Sequence, residues 1–268
     1  MKNDHFPSAP QAVWLLLALF MLEVLLGALL YDLQDLLGSS DDERGVYVRL
    51  LGHGVLFTVL LQRTGRSYRS VFHDSPHSMG AAAILLVPIA LILPAILLLD
   101  SVVSGVLVAL VPLSGWEEQA FERMAQRNLP TFVAVCVLAP VLEEMLFRGV
   151  ILRAFLHRYP PTLAIWQSAL FFGFAHLNLY QFVLAFLLGG LAGWIYERSR
   201  SLIPCIALHA FFNTAVTLLS WTQGAEPDQA LGQGGVMTWI LALALGSVGV
   251  TWLFLSLRKK AAPSMPVA

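Results

Sequence analysis

The chain has 268 residues, of which 57% are hydrophobic and 12% are charged, whereas about a quarter of the residues of an ordinary soluble domain are charged. This composition, with a mean hydropathy of +0.73, indicates an integral membrane protein. The formal net charge of −1 provides no basic surface of the kind that binds nucleic acid, so we expect no nucleic-acid partner.

The apolar segments predict an all-α fold, a polytopic bundle of about eight transmembrane helices, each of about 20 residues. The first is too long for the apolar region of a secretory signal, so we interpret it as a retained span. The third contains Pro88 and Pro94, which predict a kinked or broken helix. The predicted spans are residues 12–31, 45–62, 80–111, 130–153, 161–179, 181–197, 201–221 and 235–257. Together they predict a single integral membrane domain over residues 1–268.

Basic residues mark one side of this bundle. With the N-terminus in the cytoplasm, most of the 16 Lys and Arg residues fall at cytoplasmic ends of spans, as the positive-inside rule requires. The opposite side receives the acidic residues 41–43, the segment 116–128 and the polar loop 222–229. We therefore expect both termini in the cytoplasm. The segment 116–128 is predicted to be either a short amphipathic helix at the interface or a solvated loop.

Ionisable residues at membrane depth are candidates for functional sites, because a bilayer disfavours them unless they have a task or a partner. Glu23 and Arg49 lie mid-span in consecutive helices, so the simplest interpretation is a buried ion pair between them. His53 follows Arg49 by four residues and shares its helical face. We assign structural roles to these residues and to Asp100.

The stretch LAPVLEEMLFRGV, residues 138–150, places two glutamates and an arginine within an apolar run. Arg148 follows Glu144 by four residues, in the favourable order for an i,i+4 ion pair, but follows Glu143 by five. Consecutive helical residues point about 100° apart, so Glu143 is expected to point elsewhere, without a local cation. An unpaired carboxylate in this position is suited to general-base chemistry.

Two later spans each supply a histidine. Phe172 and His176 are four residues apart on one predicted helical face, and His209 and Asn213 repeat that spacing. A single membrane histidine is often a packed core residue, and an asparagine often links two helices. With Glu143, however, these residues make a base, two imidazoles and an amide donor on three helices, which favours a hydrolytic site.

In this order, the patterns E-E-x-x-x-R, F-x-x-x-H and H-x-x-x-N resemble those of the CPBP family of intramembrane proteases, also called the Abi family. That family includes the endoproteases that cleave prenylated CAAX proteins and prokaryotic proteins tied to bacteriocin self-immunity. The similarity covers roughly residues 130–219, the expected catalytic core. It implies an intramembrane endopeptidase that acts on membrane-associated protein or peptide substrates, either lipidated or membrane-spanning, in the inner membrane of a prokaryotic cell.

The resemblance also implies roles for individual residues. Glu143 would be the general base that deprotonates the attacking water, and His176 would help to activate that water. His209 and Asn213 would donate hydrogen bonds to the oxyanion of the tetrahedral intermediate. The residues expected to orient these groups are Glu144, Arg148 and Phe172.

Zinc is the alternative to a mechanism without a cofactor, because the family is often described as metalloproteases. Glu143, His176 and His209 are chemically acceptable zinc ligands. The sequence has no H-E-x-x-H pattern that would supply two ligands and a base together. The glutamate-base interpretation also gives Asn213 a clear task, so we favour a metal-independent mechanism.

Two other classes of function stay open from the sequence. The first is a non-catalytic membrane immunity or partner-binding protein of the same fold. The second is a small transporter whose buried charges form a proton relay, which the absence of an internal repeat disfavours. The GGLAG stretch at 189–193 is expected to mark close helix packing within the bundle rather than a dimer interface.

Overall fold

The computed structural model describes residues 5–75, 78–223 and 235–258, and within these ranges the protein contains helices and no strand. The predicted polar loop 222–229 therefore lies outside the described residues from residue 224 onward, as do the two chain ends. The helices are α1 (Ala9–Asp32), α2 (Gln34–Leu37), α3 (Asp41–Thr64), α4 (Tyr68–Phe72), α5 (Met79–Ala83), α6 (Leu86–Leu110), α7 (Gly115–Met124), α8 (Leu129–Val133), α9 (Ala139–Glu144), α10 (Arg153–Leu156), α11 (Pro161–Phe174), α12 (Leu179–Ser199), α13 (Ile203–Gln223) and α14 (Val236–Leu257). Two π-helical turns, Ala134–Leu138 and Met145–Leu152, flank α9.

Six helical stretches of the described residues are long and apolar enough to cross a membrane. They are Ala9–Asp32, Asp41–Thr64, Met79–Leu110, Leu179–Ser199, Ile203–Thr222 and Val236–Leu257. The predicted polytopic all-α bundle is confirmed, whereas the predicted count of spans is not. The predicted span 130–153 is helical but divided by the π turns. Helix α11 has 14 residues and so extends about 21 Å, less than the roughly 30 Å of a hydrocarbon core.

The third predicted span is interrupted, as its prolines predict. A turn at residues 84–85 separates α5 from α6. Pro88 lies in the first turn of α6, where a missing N–H costs little, and Pro94 lies inside the helix. Helix α14 packs closely on this region, since a Cβ at Gly249 would lie 2.7 Å from the Pro88 carbonyl oxygen.

The segment 116–128 adopts the helical alternative, as α7. Its start is a capping box in which the Ser114 hydroxyl and backbone N–H donate to Glu117 Oε2 at 2.6 and 2.9 Å. These hydrogen bonds hold the pKa of Glu117 below its ordinary value. The Phe121 ring packs edge-on against Tyr180 at 6.2 Å between centroids, so α7 covers the beginning of α12.

Glycines allow α11 and α12 to form a tight hairpin. A Cβ at Gly189 would lie 3.1 Å from Ala169 Cα, and a Cβ at Gly190 would lie 2.6 Å from Trp166 Cζ3. The GGLAG stretch thus packs within the bundle, as predicted. This hairpin fixes the end of α11, where Phe172 lies, and the turn that follows it, which carries His176.

Residues 129–156 form one helical segment whose π turns change the backbone pairing. The Ala139 N–H donates to the carbonyl of Ala134, five residues back rather than four. In that register the Val135 carbonyl would pair with the N–H of residue 140, but Pro140 has none. The Val135 carbonyl is therefore left for another donor. π turns of this kind occur frequently at functional sites.

Candidate active site

The predicted motifs meet around Phe172, which is 3% exposed. Its ring contacts His176 edge-on at 5.0 Å and His209 edge-on at 5.6 Å between ring centroids. On its face lies the Arg148 guanidinium, with Cζ 4.4 Å from the centroid, a favourable cation–π geometry. One aromatic side chain thus brings together both histidines and the arginine of the E-E-x-x-x-R pattern.

Glu144 and Arg148 form the predicted i,i+4 ion pair. Arg148 Nη1 lies 2.7 Å from Glu144 Oε1, and each side chain is 1% exposed. Arg148 Nη2 also donates to the Gly189 carbonyl of α12 at 3.2 Å. The same Glu144 oxygen lies 3.1 Å from His209 Nδ1. Glu144 therefore connects Arg148 to a catalytic candidate, a link that the sequence analysis did not predict.

Hydrogen bonds fix the orientation of the two imidazoles. His176 Nδ1 lies 2.9 Å from the Phe172 carbonyl, and a carbonyl only accepts, so Nδ1 carries a proton. His209 Nδ1 faces a carboxylate oxygen and is likewise the donor. When these rings are neutral, the Nε2 atom of each is left as an acceptor.

His176 lies just beyond the end of α11, which corrects the predicted span 161–179. The helix ends at Phe174, and α12 starts at Leu179. Asn178 is the N-cap of α12, and its side chain accepts from the Gln181 N–H at 2.8 Å. Within the turn, residues 175–178, the sequence marks the boundary by Asn178 alone, and apolar residues continue on both sides. The Phe172 carbonyl nevertheless accepts a hydrogen bond from His176 Nδ1, four residues later. The ring is therefore held close to the end of α11.

Adjacent Glu143 differs from Glu144 in both exposure and partner. Its side chain is 21% exposed, and its Oε1 lies 3.4 Å from Nη1 of Arg49 on α3. The electrostatic surroundings of the Glu143 carboxylate include Arg49 and the imidazoles of His209, His176 and His53. Glu143 is therefore the accessible carboxylate of the site, and its cation comes from another helix.

The predicted ion pair between Glu23 and Arg49 is wrong. Glu23 Oε1 instead lies 3.2 Å from His53 Nδ1. The reason is the close approach of α1 to α3 at Gly52, where a Cβ would lie 2.9 Å from Glu23 Cγ. This contact directs Glu23 toward the adjacent His53 and leaves Arg49 to face Glu143.

Asn213 uses the carbonyl that Pro140 leaves unpaired. Its Nδ2 donates to the Val135 carbonyl at 2.8 Å. A primary amide has two donor hydrogens, so this bond orients the group and leaves the second hydrogen for another acceptor. The proline five residues after Val135 is the sequence signal for this contact.

Charges in the site balance. Glu143 and Glu144 carry two negative charges, and Arg49 and Arg148 carry two positive charges, so the site is neutral when its histidines are neutral. Charge neutrality lowers the cost of burying such a cluster in a membrane protein.

The three side chains considered as zinc ligands do not form a ligand set in this arrangement. Over residues 5–75, 78–223 and 235–258, no group of three or more His, Cys, Asp or Glu side chains is placed so that it could hold a metal ion. We therefore derive no step through a metal.

Comparison with known proteins covers the same part of the chain. Residues 125–215 match the family model described as type II CAAX prenyl endopeptidase Rce1-like. This match, over about a third of the chain, agrees with the resemblance to the CPBP family. The matched segment contains every residue of the three motifs, whereas Arg49 and His53 of α3 lie outside it.

The chain is also similar to the UPF0177 protein YaiF of Lactococcus lactis subsp. lactis (strain IL1403), with 37% identity over 84 residues. The aligned part covers 31% of this chain and 37% of that protein. No solved structure matches the chain.

Proposed function

We propose that the protein is an intramembrane endopeptidase of the CAAX-protease type that hydrolyses peptide bonds of membrane-associated substrates. The observation that carries this proposal is the contrast between two adjacent glutamates: Glu143 is 21% exposed and Glu144 is 1% exposed. A general base must reach water and substrate, whereas a carboxylate that orients other groups is best kept sealed and paired.

Glu143 would begin the reaction by removing a proton from a water molecule held between its carboxylate and His176 Nε2. The water oxygen then bonds to the scissile carbonyl carbon, and the carbonyl electrons move onto its oxygen. When the tetrahedral intermediate collapses, the C–N bond breaks and Glu143 gives its proton to the leaving nitrogen. The products are a carboxylic acid and an amine, and Glu143 returns to its starting state.

His209 and Asn213 would stabilise the oxyanion. The second Nδ2 hydrogen of Asn213 is one donor. His209 donates from Nε2 when it is an imidazolium, in which case its Nδ1–H is bonded to the Glu144 carboxylate. Loss of one oxyanion donor typically costs about 3 kcal/mol of transition-state stabilisation.

Glu144, Arg148 and Phe172 would hold these groups in place rather than react. Arg148 neutralises Glu144 and stacks on Phe172, and Phe172 packs against both imidazoles. Such support matters because a displacement of about 1 Å at the reacting groups can cost roughly 100-fold in rate.

We place the protein in the inner membrane of a prokaryotic cell with both termini in the cytoplasm, supported by the distribution of its basic residues. Its substrates would be peptides or proteins that are lipidated or membrane-spanning. The test is cleavage by the full-length protein in liposomes, using one peptide with a lipidated C-terminal region and one with a transmembrane segment. Mass spectrometry should identify new ends from at least one peptide in the wild type and none in Glu143→Gln. New ends that form equally in both proteins would contradict the proposal.

A further inference from the structure

Helix α3 reaches the candidate active site from outside the segment 125–215 that matches the family. Arg49 Nη1 lies 3.4 Å from Glu143 Oε1, and these residues are 94 positions apart in the chain. The same helix is anchored near its start, where Asn128 Nδ2 donates to Asp42 at 2.9 Å. Asn128 also caps α8, so α3 is tied to the segment 129–156 at two points.

We propose that Arg49 is a positioning residue for Glu143, holding one carboxylate oxygen so that the other faces water and substrate. The proposal rests on the proposed function, in which Glu143 is the base. Arg49 touches no reacting atom and acts through the carboxylate alone.

The contact between Arg49 and Glu143 is longer and more exposed than the one between Arg148 and Glu144, which suits a carboxylate that must act as a base. Arg148 lies 2.7 Å from Glu144 in a contact that is 1% exposed on both sides, whereas Arg49 lies 3.4 Å from Glu143 with side chains 39% and 21% exposed. A close, sealed ion pair keeps its carboxylate away from water and substrate. The longer and more solvated contact orients Glu143 while leaving it able to accept a proton.

Arg49 is itself supported by its neighbours on α1 and α3. The Arg49 carbonyl lies 3.1 Å from His53 Nδ1, and that nitrogen also faces Glu23 at 3.2 Å. His53 is 5% exposed, so its ring is fixed. Gly52 admits Glu23 against the α3 backbone. The packing of α1 against α3 thus fixes the part of α3 that carries Arg49.

Arg49 also differs in kind from the other groups that face Glu143. These are His209 on α13, His176 after α11 and His53 on α3. The charge of a histidine changes near neutral pH, whereas an arginine stays charged. Among these four groups, Arg49 is therefore the one with a permanent positive charge.

The chain offers a matched control in Arg44. It lies on the same helix and lines the same polar cavity of about 290 Å³ between α1 and α3. Arg44 contacts Gln34 and Asp41 at 3.0 and 2.5 Å. A change at Arg44 thus alters the cavity and the charge of α3 without touching the Arg49 contact.

The experiment measures kcat and KM for the cleaved peptide with the full-length protein in liposomes. We expect Arg49→Gln to lower kcat roughly 10- to 100-fold with KM changed less than about twofold. Arg49→Lys should recover most of kcat because a lysine keeps the charge, and Arg44→Gln should keep the wild-type kcat. A wild-type kcat in Arg49→Gln, or a defect that Arg49→Lys shares in full, overturns the role of Arg49.

A second measurement separates positioning from a fold defect. Thermal unfolding is measured for the wild type, Arg49→Gln, Glu143→Gln and the double variant. Because both single changes remove the same contact, we expect the shifts in Tm not to add. Additive shifts would overturn the contact. If Glu143→Gln abolishes cleavage while Arg49→Gln leaves kcat unchanged, the proposed function stands and this inference alone fails. A Glu143→Gln variant that cleaves like the wild type overturns both.

Discussion

Asn213 donates a hydrogen bond to the carbonyl of Val135 at 2.8 Å, a contact that exists because the π turn and Pro140 leave that carbonyl without a backbone donor. One side chain thus completes the backbone of the segment 129–156 and keeps a second N–H for another acceptor. The irregular backbone at Val135 and the candidate catalytic residue Asn213 are therefore joined by one hydrogen bond.

We predict that Asn213→Ala lowers kcat roughly 100-fold or more, because it removes an oxyanion donor. It should also reduce the free energy of unfolding by about 1–3 kcal/mol, since the Val135 carbonyl loses its partner. The control is Thr217→Val, one turn further along α13, whose hydroxyl contacts Cys136 at 3.5 Å. Thr217→Val should keep the wild-type kcat. Equal kcat values for Asn213→Ala and Thr217→Val would remove Asn213 from the oxyanion site.

Arg148→Ala should destabilise the protein strongly. It leaves the Glu144 carboxylate, 1% exposed, without its cation, and breaking such a buried pair costs about 3–5 kcal/mol. Arg148→Lys should restore only part of the stability, because lysine lacks the planar group that stacks on Phe172. Thermal unfolding in detergent measures both effects. The double variant Glu144→Gln/Arg148→Met should be more stable than Arg148→Ala, and the reverse order would contradict this electrostatic explanation.

Two glycine substitutions should separate packing from catalysis. A Cβ at Gly249 would lie 2.7 Å from the Pro88 carbonyl, so Gly249→Ala should lower Tm by pushing α14 from α6 while leaving kcat unchanged. A Cβ at Gly189 would lie 3.2 Å from Phe172 Cδ1. Gly189→Ala should therefore shift Phe172 and lower kcat in protein that remains folded. Similar kcat values for both variants would show that Phe172 does not position the histidines.

Metal removal tests the choice between mechanisms. We predict that the protein treated with a strong chelator keeps its full rate of peptide cleavage, because no step of the proposed mechanism uses a metal. The control is the same chelator with added zinc, which should have no activating effect. Loss of cleavage on chelation with recovery on zinc addition would favour the zinc alternative.

The sequence predicts the parts of this molecule that depend on local spacing. Apolar length alone places the long helices, and the i,i+4 rule predicts the Glu144–Arg148 pair. The wrong Glu23–Arg49 pair shows the limit, because mid-span position does not determine which way a side chain turns. That choice depends on how closely α1 approaches Gly52.

Contacts between distant segments are the part that spacing does not reveal. Arg49 and Glu143 meet only because α3 packs on the segment 129–156. The end of α11 before His176 is marked only weakly within the turn, by the N-cap residue Asn178. The charge partner of the proposed base therefore comes from tertiary packing.

The most direct test of the central claim is the kcat of Glu143→Gln beside that of the wild type, measured on folded full-length protein with the peptide that the wild type cleaves. Glutamine keeps the shape of the side chain but cannot accept the proton from water. We predict a loss of at least about 100-fold in kcat, as expected for removal of a general base, in protein whose Tm falls no further than that of Arg49→Gln, which removes the same contact. Cleavage at the wild-type rate by Glu143→Gln would contradict the account.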